Sequence, residues 1–380
     1  MPLDELVQRL VNVTPGYKLF LSVYLDLRPD RSGKKRYLTF LKNHLPELSN
    51  LVSPHSPAKP LLAKDIKRLE NFLEEKLDPA WKGIALYACA AEDLFIPIPM
   101  PVPPENAVSL APFPYLFSLV RHADLYQTHA IIVTHSRQAR LFIVRLGHLE
   151  KQLNLSWEDK HNTRFGRMGL SLPRFQRHIK EHIKQQAKEI VGHLEKLIPL
   201  GKMDSLLVAA EEGIEAELKK QFPTSAQKKL ILFSCDFHDP DHKVLAAASE
   251  ALQAISRGKT EALTRQILEE AEPLNQAITG PEPTLTALQN HQIERIVFDT
   301  QFKATGWKCS ECNSLGSGGL PSACPLCEGG ILSTDLREEM IVKAKSQGVE
   351  LFFMESFPPL RKAEGIAALL KYKIPRRSPK

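Results

Sequence analysis

The sequence of 380 residues has no apolar run near the roughly 18 residues that cross a bilayer. Its first residues lack the basic start, apolar core and small-residue cleavage site of an export signal. The phosphate-binding pattern G-x-x-x-x-G-K-[ST], the dinucleotide fingerprint and the G-x-S-x-G elbow are also missing. We therefore expect a cytoplasmic protein without a membrane segment or a nucleotide cofactor.

Cysteine is scarce, and its distribution is uneven. Four of the six cysteines lie within nineteen residues, while Cys89 and Cys235 lie in apolar, strand-like stretches. This pattern disfavours a disulfide framework and suits a reducing compartment. Charge of one sign is not dominant either, since the formal net charge is only +6. This small positive excess indicates an anionic partner only where basic residues cluster.

The clustered cysteines form two C-x-x-C pairs separated by eleven residues. Two tight turns can present four thiolates to one metal ion, and four sulfur ligands leave no open coordination position. We expect one structural zinc ion per chain, with redox or catalytic zinc as the alternative. Lys308 precedes the first pair and is expected to supply a cation for the thiolates. Gly329 follows the second pair and is expected to allow a turn there. The expected ligands are Cys309, Cys312, Cys324 and Cys327.

Length predicts more than one hydrophobic core, and the order of elements predicts an α/β fold with three α/β domains. In the first domain, five prolines between Pro97 and Pro104 favour an extended edge or connector. The central domain opens with two apolar strands separated by Arg137 and Gln138, which predicts a hairpin. A long polar loop and a helix over 171–197 are expected to follow. Its later strands and helices predict a mixed sheet covered by helices. The expected domains are 1–124, 125–256 and 257–380, the last opening with a helix to Ile278 and carrying the zinc ribbon as an insertion at 303–334.

A strongly basic segment runs from Lys160 to Lys184, with seven Lys or Arg residues, three histidines and one acid. Cations on one helix face suit phosphates, although a solvated helix face is the alternative. We expect it to contact RNA. The candidate RNA-binding residues are Lys160, Arg164, Arg167, Arg174, Arg177, Lys180, Lys184 and Lys188.

Two further patterns resemble metal sites. His178, Glu181 and His182 spell the H-x-x-E-H of some metallopeptidases, but the surrounding cations oppose a metal, so two solvated histidines are favoured. The run from His238 to His242 lies between a strand and a helix, where Asp239 is expected to cap the helix.

The ordered set of features over residues 124–380 resembles the archaeal and eukaryotic class-I peptide-chain release factors and their Pelota relatives. In that family a Gly-Gly-Gln loop precedes Ser and Arg-Phe-x-Arg, and here Ser171, Arg174, Phe175 and Arg177 agree. The stretch ITGPEPTLTALQNHQIERIVF and the closing GIAALLKYKI look like equivalents of the family's carboxyl-terminal domain. The resemblance implies an RNase H-like central domain and a small Pelota-like carboxyl-terminal domain.

Departures from the family concern its chemistry. The tripeptide that promotes ester hydrolysis is Met168-Gly169-Leu170 here, so Leu170 stands at the glutamine position. No Asn-Ile-Lys-Ser motif is present, and Asp93 stands where the Tyr-x-Cys motif that begins at Tyr87 wants Phe. The resemblance then implies a protein of translation that binds the ribosome, tRNA or rRNA, in rescue or quality control, without decoding stop codons. Peptidyl-tRNA hydrolysis, with the backbone amides of the loop as catalytic candidates, and a protein-interaction module are the alternatives.

Overall fold

The computed structural model describes residues 3–12, 19–30, 32–79, 81–100, 102–123, 127–135, 137–145, 148–157, 172–271 and 276–372; of residues 4, 172–179 and 212 it describes the backbone alone. The chain divides into two compact units, the first of residues 1–123 with 257–380 and the second of residues 124–256. Both units mix helices with sheets, so the predicted α/β class is confirmed. The division into three domains stays a prediction.

The amino-terminal part of the first unit is an antiparallel sheet in the order β3-β2-β1-β4. Its core lies between the sheet and two helices, α2 and α3. The first prolines of the proline-rich stretch lie in β3, which is an edge strand of this sheet. Proline lacks a backbone N–H, and an edge strand tolerates it because one side of the strand has no neighbouring strand to bond. The elements are α1 (Leu3–Val11), β1 (Phe20–Asp26), α2 (Arg36–Leu51), α3 (Ala58–Glu75), β2 (Gly83–Cys89), β3 (Leu94–Met100), β4 (Ala107–Ala111) and α4 (Phe117–Val120).

The second unit is built on a five-stranded sheet in the order β7-β6-β5-β8-β9. Strands β5, β8 and β9 are parallel and β5, β6 and β7 antiparallel, so the predicted mixed sheet is confirmed. Helices α5 and α6 cover one face and the first half of α8 the other. The elements are β5 (Thr128–His135), β6 (Gln138–Arg145), β7 (His148–Ser156), α5 (Leu172–Leu197), β8 (Ser205–Ala209), α6 (Glu212–Gln221), α7 (Thr224–Gln227), β9 (Leu230–Leu232) and α8 (Asp241–Glu270).

Two predictions for this part of the chain are wrong. The expected polar loop after β6 begins with strand β7, whose side chains are mostly exposed because it lies at the sheet edge and packs only Leu153 and Leu155 on the core. The helices expected at 241–256 and from 257 to Ile278 are one helix, α8, that ends at Glu270. Gly258 does not break it, because a single glycine inside a helix costs only about 1 kcal/mol.

The carboxyl-terminal part of the first unit has its own mixed sheet, in the order β10-β16-β11-β15. Between β11 and α10 the chain forms a separate three-stranded sheet, β13-β12-β14, which is the predicted inserted ribbon. The elements are β10 (Ala277–Thr279), α9 (Pro281–Gln289), β11 (Ile293–Asp299), β12 (Thr305–Cys309), β13 (Leu315–Ser317), β14 (Ile331–Asp335), α10 (Leu336–Ser346), β15 (Glu350–Met354), α11 (Pro358–Lys362) and β16 (Ile366–Leu370).

Candidate metal centre and basic helix

The ribbon brings its four cysteines together. Their Sγ atoms all lie within 4.8 Å of one another, with 3.4 Å between Cys309 and Cys327 and 3.6 Å between Cys312 and Cys324. A tetrahedral ion with metal–sulfur bonds of about 2.3 Å needs sulfurs about 3.8 Å apart, so the spacing fits. In the part of the chain that the structure describes, no other group of three or more metal-binding side chains is this close.

Backbone geometry holds the thiols of the first and second pairs in the same way. The N–H groups of Glu311 and Cys312 point at Cys309 Sγ, 3.4 and 3.5 Å away, and the N–H of Leu326 points at Cys324 Sγ at 3.5 Å. Gly329 must be glycine, because a Cβ there would lie 2.6 Å from the side chain of Glu311. Donors aimed at sulfur stabilise thiolates, the form that binds metal.

Two of the thiols, Cys312 and Cys327, differ widely in pKa when no cation compensates their charge. Hydrogen bonds from Ser314 lower the pKa of Cys312 to about 6. The backbone N–H of Gly329 lowers the pKa of Cys327, but the neighbouring thiols of Cys309 and Cys312 outweigh it and raise that pKa to about 12. Four crowded sulfurs cannot all ionise unless a cation compensates their charge, so the donor set fits a thiolate-binding metal ion.

Lys308 has a different role from the one expected. Its Nζ lies 3.0 Å from the carboxylate of Glu339 on α10 and 5.6 Å from the ring centroid of Phe113. Successive side chains of a strand point to opposite faces, so Lys308 in β12 faces away from the thiol of Cys309. The lysine therefore fastens the ribbon to the rest of its unit instead of supplying a cation to the thiolates.

Part of the predicted RNA-binding segment lies outside the described residues. Lys160, Arg164, Arg167 and the candidate catalytic loop of Met168, Gly169 and Leu170 fall there. Arg174 and Arg177 lie in the first turns of α5, with only their backbone described. Whether these residues meet at one surface stays a prediction.

Helix α5 carries four exposed lysines among its described side chains, and three of them follow one another at a fixed spacing. Lys180, Lys184 and Lys188 recur every four residues, so they lie on one side of the helix. None of the three forms an ion pair with another described residue. Glu181 and His182 on the same turns are exposed as well, on a surface that does not enclose a metal.

One side chain that sequence reasoning missed links the end of β7 to α5. Trp157, directly after β7, donates from its indole N–H to the carboxylate of Glu189 at 2.5 Å. Gln185 donates to the same carboxylate at 2.7 Å, and these two bonds lower the pKa of Glu189. The bond therefore joins the end of β7 to helix α5.

The His238–His242 run is organised by an arginine. Arg140 on β6 donates to the carbonyl oxygens of Phe237 and Asp239, 2.6 and 2.7 Å away, and pairs with Asp241 at 2.5 Å. Asp241 opens α8, where a carboxylate favours the helix dipole. Asp239, which was expected to cap the helix, instead accepts from the backbone N–H of Asp236 at 3.2 Å. These acids belong to no group of metal-binding side chains among the described residues.

The tyrosine-cysteine motif lies in the core of the amino-terminal sheet. Strand β2 is buried throughout, and Cys89 is fully buried. The hydroxyl of Tyr87 bonds that of Tyr24 and donates to the carbonyl oxygen of Tyr115 at 3.0 Å. These side chains support packing and are not exposed to an external partner.

One family model matches the middle of the chain. Residues 114–253 match the model of bacterial archaeo-eukaryotic release factor family 10. No curated protein sequence matches the chain. The matched range contains the whole basic segment and both helices α5 and α6.

Several solved structures are similar to the chain. They include Dom34 of Saccharomyces cerevisiae, described as a translation termination-like factor in RNA quality control, with 12% identity over 68% of this chain and a TM-score of 0.37. The chain spans only 65% of the length of that protein. Pelota of Archaeoglobus fulgidus shows 13% identity over 77% of this chain and 79% of its own, with a TM-score of 0.32. The carboxyl-terminal domain of a release factor of Methanosarcina mazei shows 20% identity over 36% of this chain and 98% of its own, with a TM-score of 0.28. Because these TM-scores are all below 0.5, nothing about function follows from the likenesses.

Proposed function

We propose that the chain is a divergent member of the release-factor and Pelota superfamily and that it acts in translation by binding the ribosome or a tRNA-like RNA. The family match at residues 114–253 carries this proposal, because it contains the basic segment expected to contact RNA. The proposed setting is ribosome rescue or quality control in the cytoplasm, without decoding of stop codons. None of the helices in the described ranges is long and apolar enough to cross a bilayer.

The proposed contact surface comprises the loop before α5 and the exposed side of that helix. Three exposed lysine ammonium groups at spacing i, i+4, i+8 suit a row of backbone phosphates, because each neutralised phosphate releases condensed counterions. Trp157, which precedes the basic segment in the sequence, is hydrogen-bonded to Glu189 on the same helix. Of the predicted RNA-binding residues, Lys180, Lys184 and Lys188 are the ones whose exposed side chains are described, and they are the ones to test first.

The proposed surface binds and does not hydrolyse. Leu170 has no polar group with which to orient a water molecule, and the family's hydrolytic loop uses a glutamine at that position. We assign the four ribbon cysteines to one zinc ion, whose role there is to fold the ribbon. Zinc is the choice because four thiolates in a closed tetrahedral arrangement are its usual structural site.

Cosedimentation with ribosomes over a salt series tests the binding proposal. The wild-type chain should pellet with ribosomes, and its affinity should fall steeply between about 50 and 200 mM salt. The triple variant Lys180→Ala, Lys184→Ala, Lys188→Ala should bind about tenfold or more weakly, with a salt slope smaller by about 2 to 3.

A matched control removes the same charge from elsewhere in the second unit. Lys202, Lys219 and Lys228 are exposed and lie outside the proposed surface, so Lys202→Ala, Lys219→Ala, Lys228→Ala should bind like wild type. Equal losses in the two triple variants would show a nonspecific charge effect, and no pelleting at the lowest salt would reject ribosome binding.

A further inference from the structure

Helix α10 carries three consecutive charged residues that are all buried. Arg337, Glu338 and Glu339 are 7%, 0% and 3% exposed. Burying charged groups is costly unless each is paired and hydrogen-bonded. Their partners therefore indicate what this helix holds in place.

Glu338 is bonded through one oxygen only. Its Oε2 accepts from the backbone N–H groups of Leu116 at 2.8 Å and Phe117 at 3.1 Å, which precede it by more than 220 positions in the sequence. Its Oε1 is buried and has no hydrogen-bond partner among the described residues. A carboxyl group held in this way satisfies the start of α4 with one oxygen and leaves the other in an apolar site.

Arg337 lies close to that second oxygen without bonding it. Its guanidinium donates to the carbonyl oxygen of Phe302 and to the hydroxyl of Tyr115, at 3.1 and 2.9 Å, and lies 3.9 Å from the ring centroid of Phe117. The distance from Arg337 to Glu338 Oε1 is 3.8 Å, longer than a hydrogen bond. Two of the arginine's five N–H donors are thus committed to other oxygens, and its Nε–H has no partner among the described residues. Because no donor bonds Oε1 of Glu338, the cation compensates a charge on Glu338 only in part.

The partners of these residues belong to one short stretch, residues 113–122, here called the clasp. The clasp is fixed to the amino-terminal sheet, because the N–H of Tyr115 donates to Ser22 and its carbonyl oxygen accepts from the hydroxyl of Tyr87, which is itself bonded to the hydroxyl of Tyr24. Further along, Phe117 stacks edge-on against Phe353 of β15. The clasp therefore joins the sheets built by the two ends of the chain, and Glu338 lies at the junction.

We propose that Glu338 is a proton-operated latch, which holds the clasp on α10 while its carboxyl group is neutral and releases it when that group ionises. A neutral carboxyl keeps both bonds to the backbone N–H groups and leaves no uncompensated charge in the buried site. An ionised carboxylate leaves a negative charge on an oxygen without a hydrogen bond, and water reaches that oxygen only if the clasp separates. Glu338 thereby couples the amino-terminal sheet to the carboxyl-terminal helix in a pH-dependent way.

The direction of the pH effect follows from the environment of the carboxyl group. Burial raises the pKa of Glu338 to about 8, against the opposing effects of the Leu116 N–H and of Arg337. With the clasp open, the carboxyl group titrates near its ordinary value of 4.5. Since the open state loses its proton first, the closed state should weaken as the pH rises from about 4.5 and stop weakening above about 8.

Other titratable groups near the junction would change the stability of the closed state in the opposite direction or at a different pH. Burial lowers the pKa of His122, so His122 would favour opening only at acidic pH, the opposite direction. Burial raises the pKa of the Tyr115 hydroxyl, which keeps it neutral below pH 10. Burial also raises the pKa of Glu339, and this residue, paired with Lys308, is the one that must be separated from Glu338 by experiment. The charged groups facing the junction are Arg337, Glu339 and Lys343 of α10, Asp335 of β14, Lys308 of β12, Arg121 of the clasp and Glu355 after β15.

Hydrogen–deuterium exchange of the full chain between pH 6.5 and 9 tests the latch. After correction for the intrinsic pH dependence of exchange, protection of residues 115–121 should fall by about tenfold from pH 6.5 to 8 and then level off. Protection of β5 and β8 in the second unit should stay constant. A flat profile for the clasp of the wild-type chain would overturn the proposal by itself, without any variant.

Two variants assign the effect to one carboxyl group. Glu338→Gln keeps an oxygen acceptor for the two N–H groups and cannot ionise, so its clasp should stay protected across the range. Glu339→Gln removes the neighbouring buried carboxyl and should retain the wild-type pH dependence. Loss of the dependence in Glu339→Gln, or its persistence in Glu338→Gln, would assign the proton to a group other than Glu338.

Discussion

The ribbon of residues 303–334 and the second unit, residues 124–256, differ in what holds each of them together. The ribbon core consists of Trp307, Cys309 and Cys324 with the partly buried Ile331 packed beside them, so two of its three buried residues are metal-ligand candidates. The second unit packs aliphatic side chains on both faces of its sheet. A few apolar contacts cannot offset the conformational entropy of ordering some thirty residues, which is about 1 to 2 kcal/mol per residue for the backbone alone.

This difference shows how the two regions depend on their surroundings. The ribbon sheet has three short strands, and Gly316 lies against the ring of Trp307, where a Cβ would come within 2.2 Å of the indole. The packing of the ribbon is specific, but it buries few side chains. Removing the ion should therefore affect the ribbon strongly and the second unit very little, whereas a cavity in the second unit should have the reverse effect.

The largest expected effect is loss of the metal. Purified protein should contain about one zinc per chain, and Cys309→Ser should abolish it, because binding energies of structural zinc sites, about 10 to 16 kcal/mol, are largely folding energy. Metal analysis and hydrogen exchange should show loss of zinc and of protection within 303–334, with β5 and β8 unchanged.

A matched control is available for the metal prediction. Cys235 is a half-buried thiol of the second unit, away from the other cysteines, so Cys235→Ser should keep one zinc per chain. Full zinc content in Cys309→Ser and Cys327→Ser alike would refute the four-cysteine site.

A cavity in the second unit should have the next largest effect. Leu194 on α5 is fully buried against the sheet, so Leu194→Ala should destabilise this unit by about 2 to 5 kcal/mol. Thermal unfolding should show the loss while zinc content stays at one per chain. Leu232→Ala, at a half-exposed position on β9, should change stability by less than about 0.5 kcal/mol, and a similar loss in both variants would contradict the packing described here.

The same contrast explains what the sequence could predict. The ribbon was predictable because metal ligation imposes a fixed spacing on residues that are near one another in sequence. The mixed sheet was predictable because buried strands such as β5 and β6 are runs of β-branched and apolar residues. Strand β7 was missed although Leu153, Leu155 and Trp157 alternate, because its other side chains are polar and exposed at a sheet edge.

The latch residues could not be predicted, because their burial depends on contacts distant in sequence. Arg337, Glu338 and Glu339 have the composition of a solvated helix face, and nothing local indicates that the clasp covers them. The continuous α8 was missed for a related reason. A domain was expected to begin at residue 257, but no proline lies between Asp241 and Glu270, so the helical hydrogen bonds continue across that position.

The smallest expected effect concerns the junction between the ribbon and the helix that follows it. Asp335 ends β14 and caps α10, and its carboxylate accepts from the N–H of Glu338 at 3.4 Å. Asp335→Ala should destabilise the first unit by about 1 kcal/mol, since a lost helix cap typically costs that much. Asp335→Asn retains an acceptor at the cap and should lose less. Zinc content should stay at one per chain in both variants, because the metal ligands precede the cap and are held by their own turns; a loss of zinc in Asp335→Ala would show that the ribbon depends on α10 as well as on its ion.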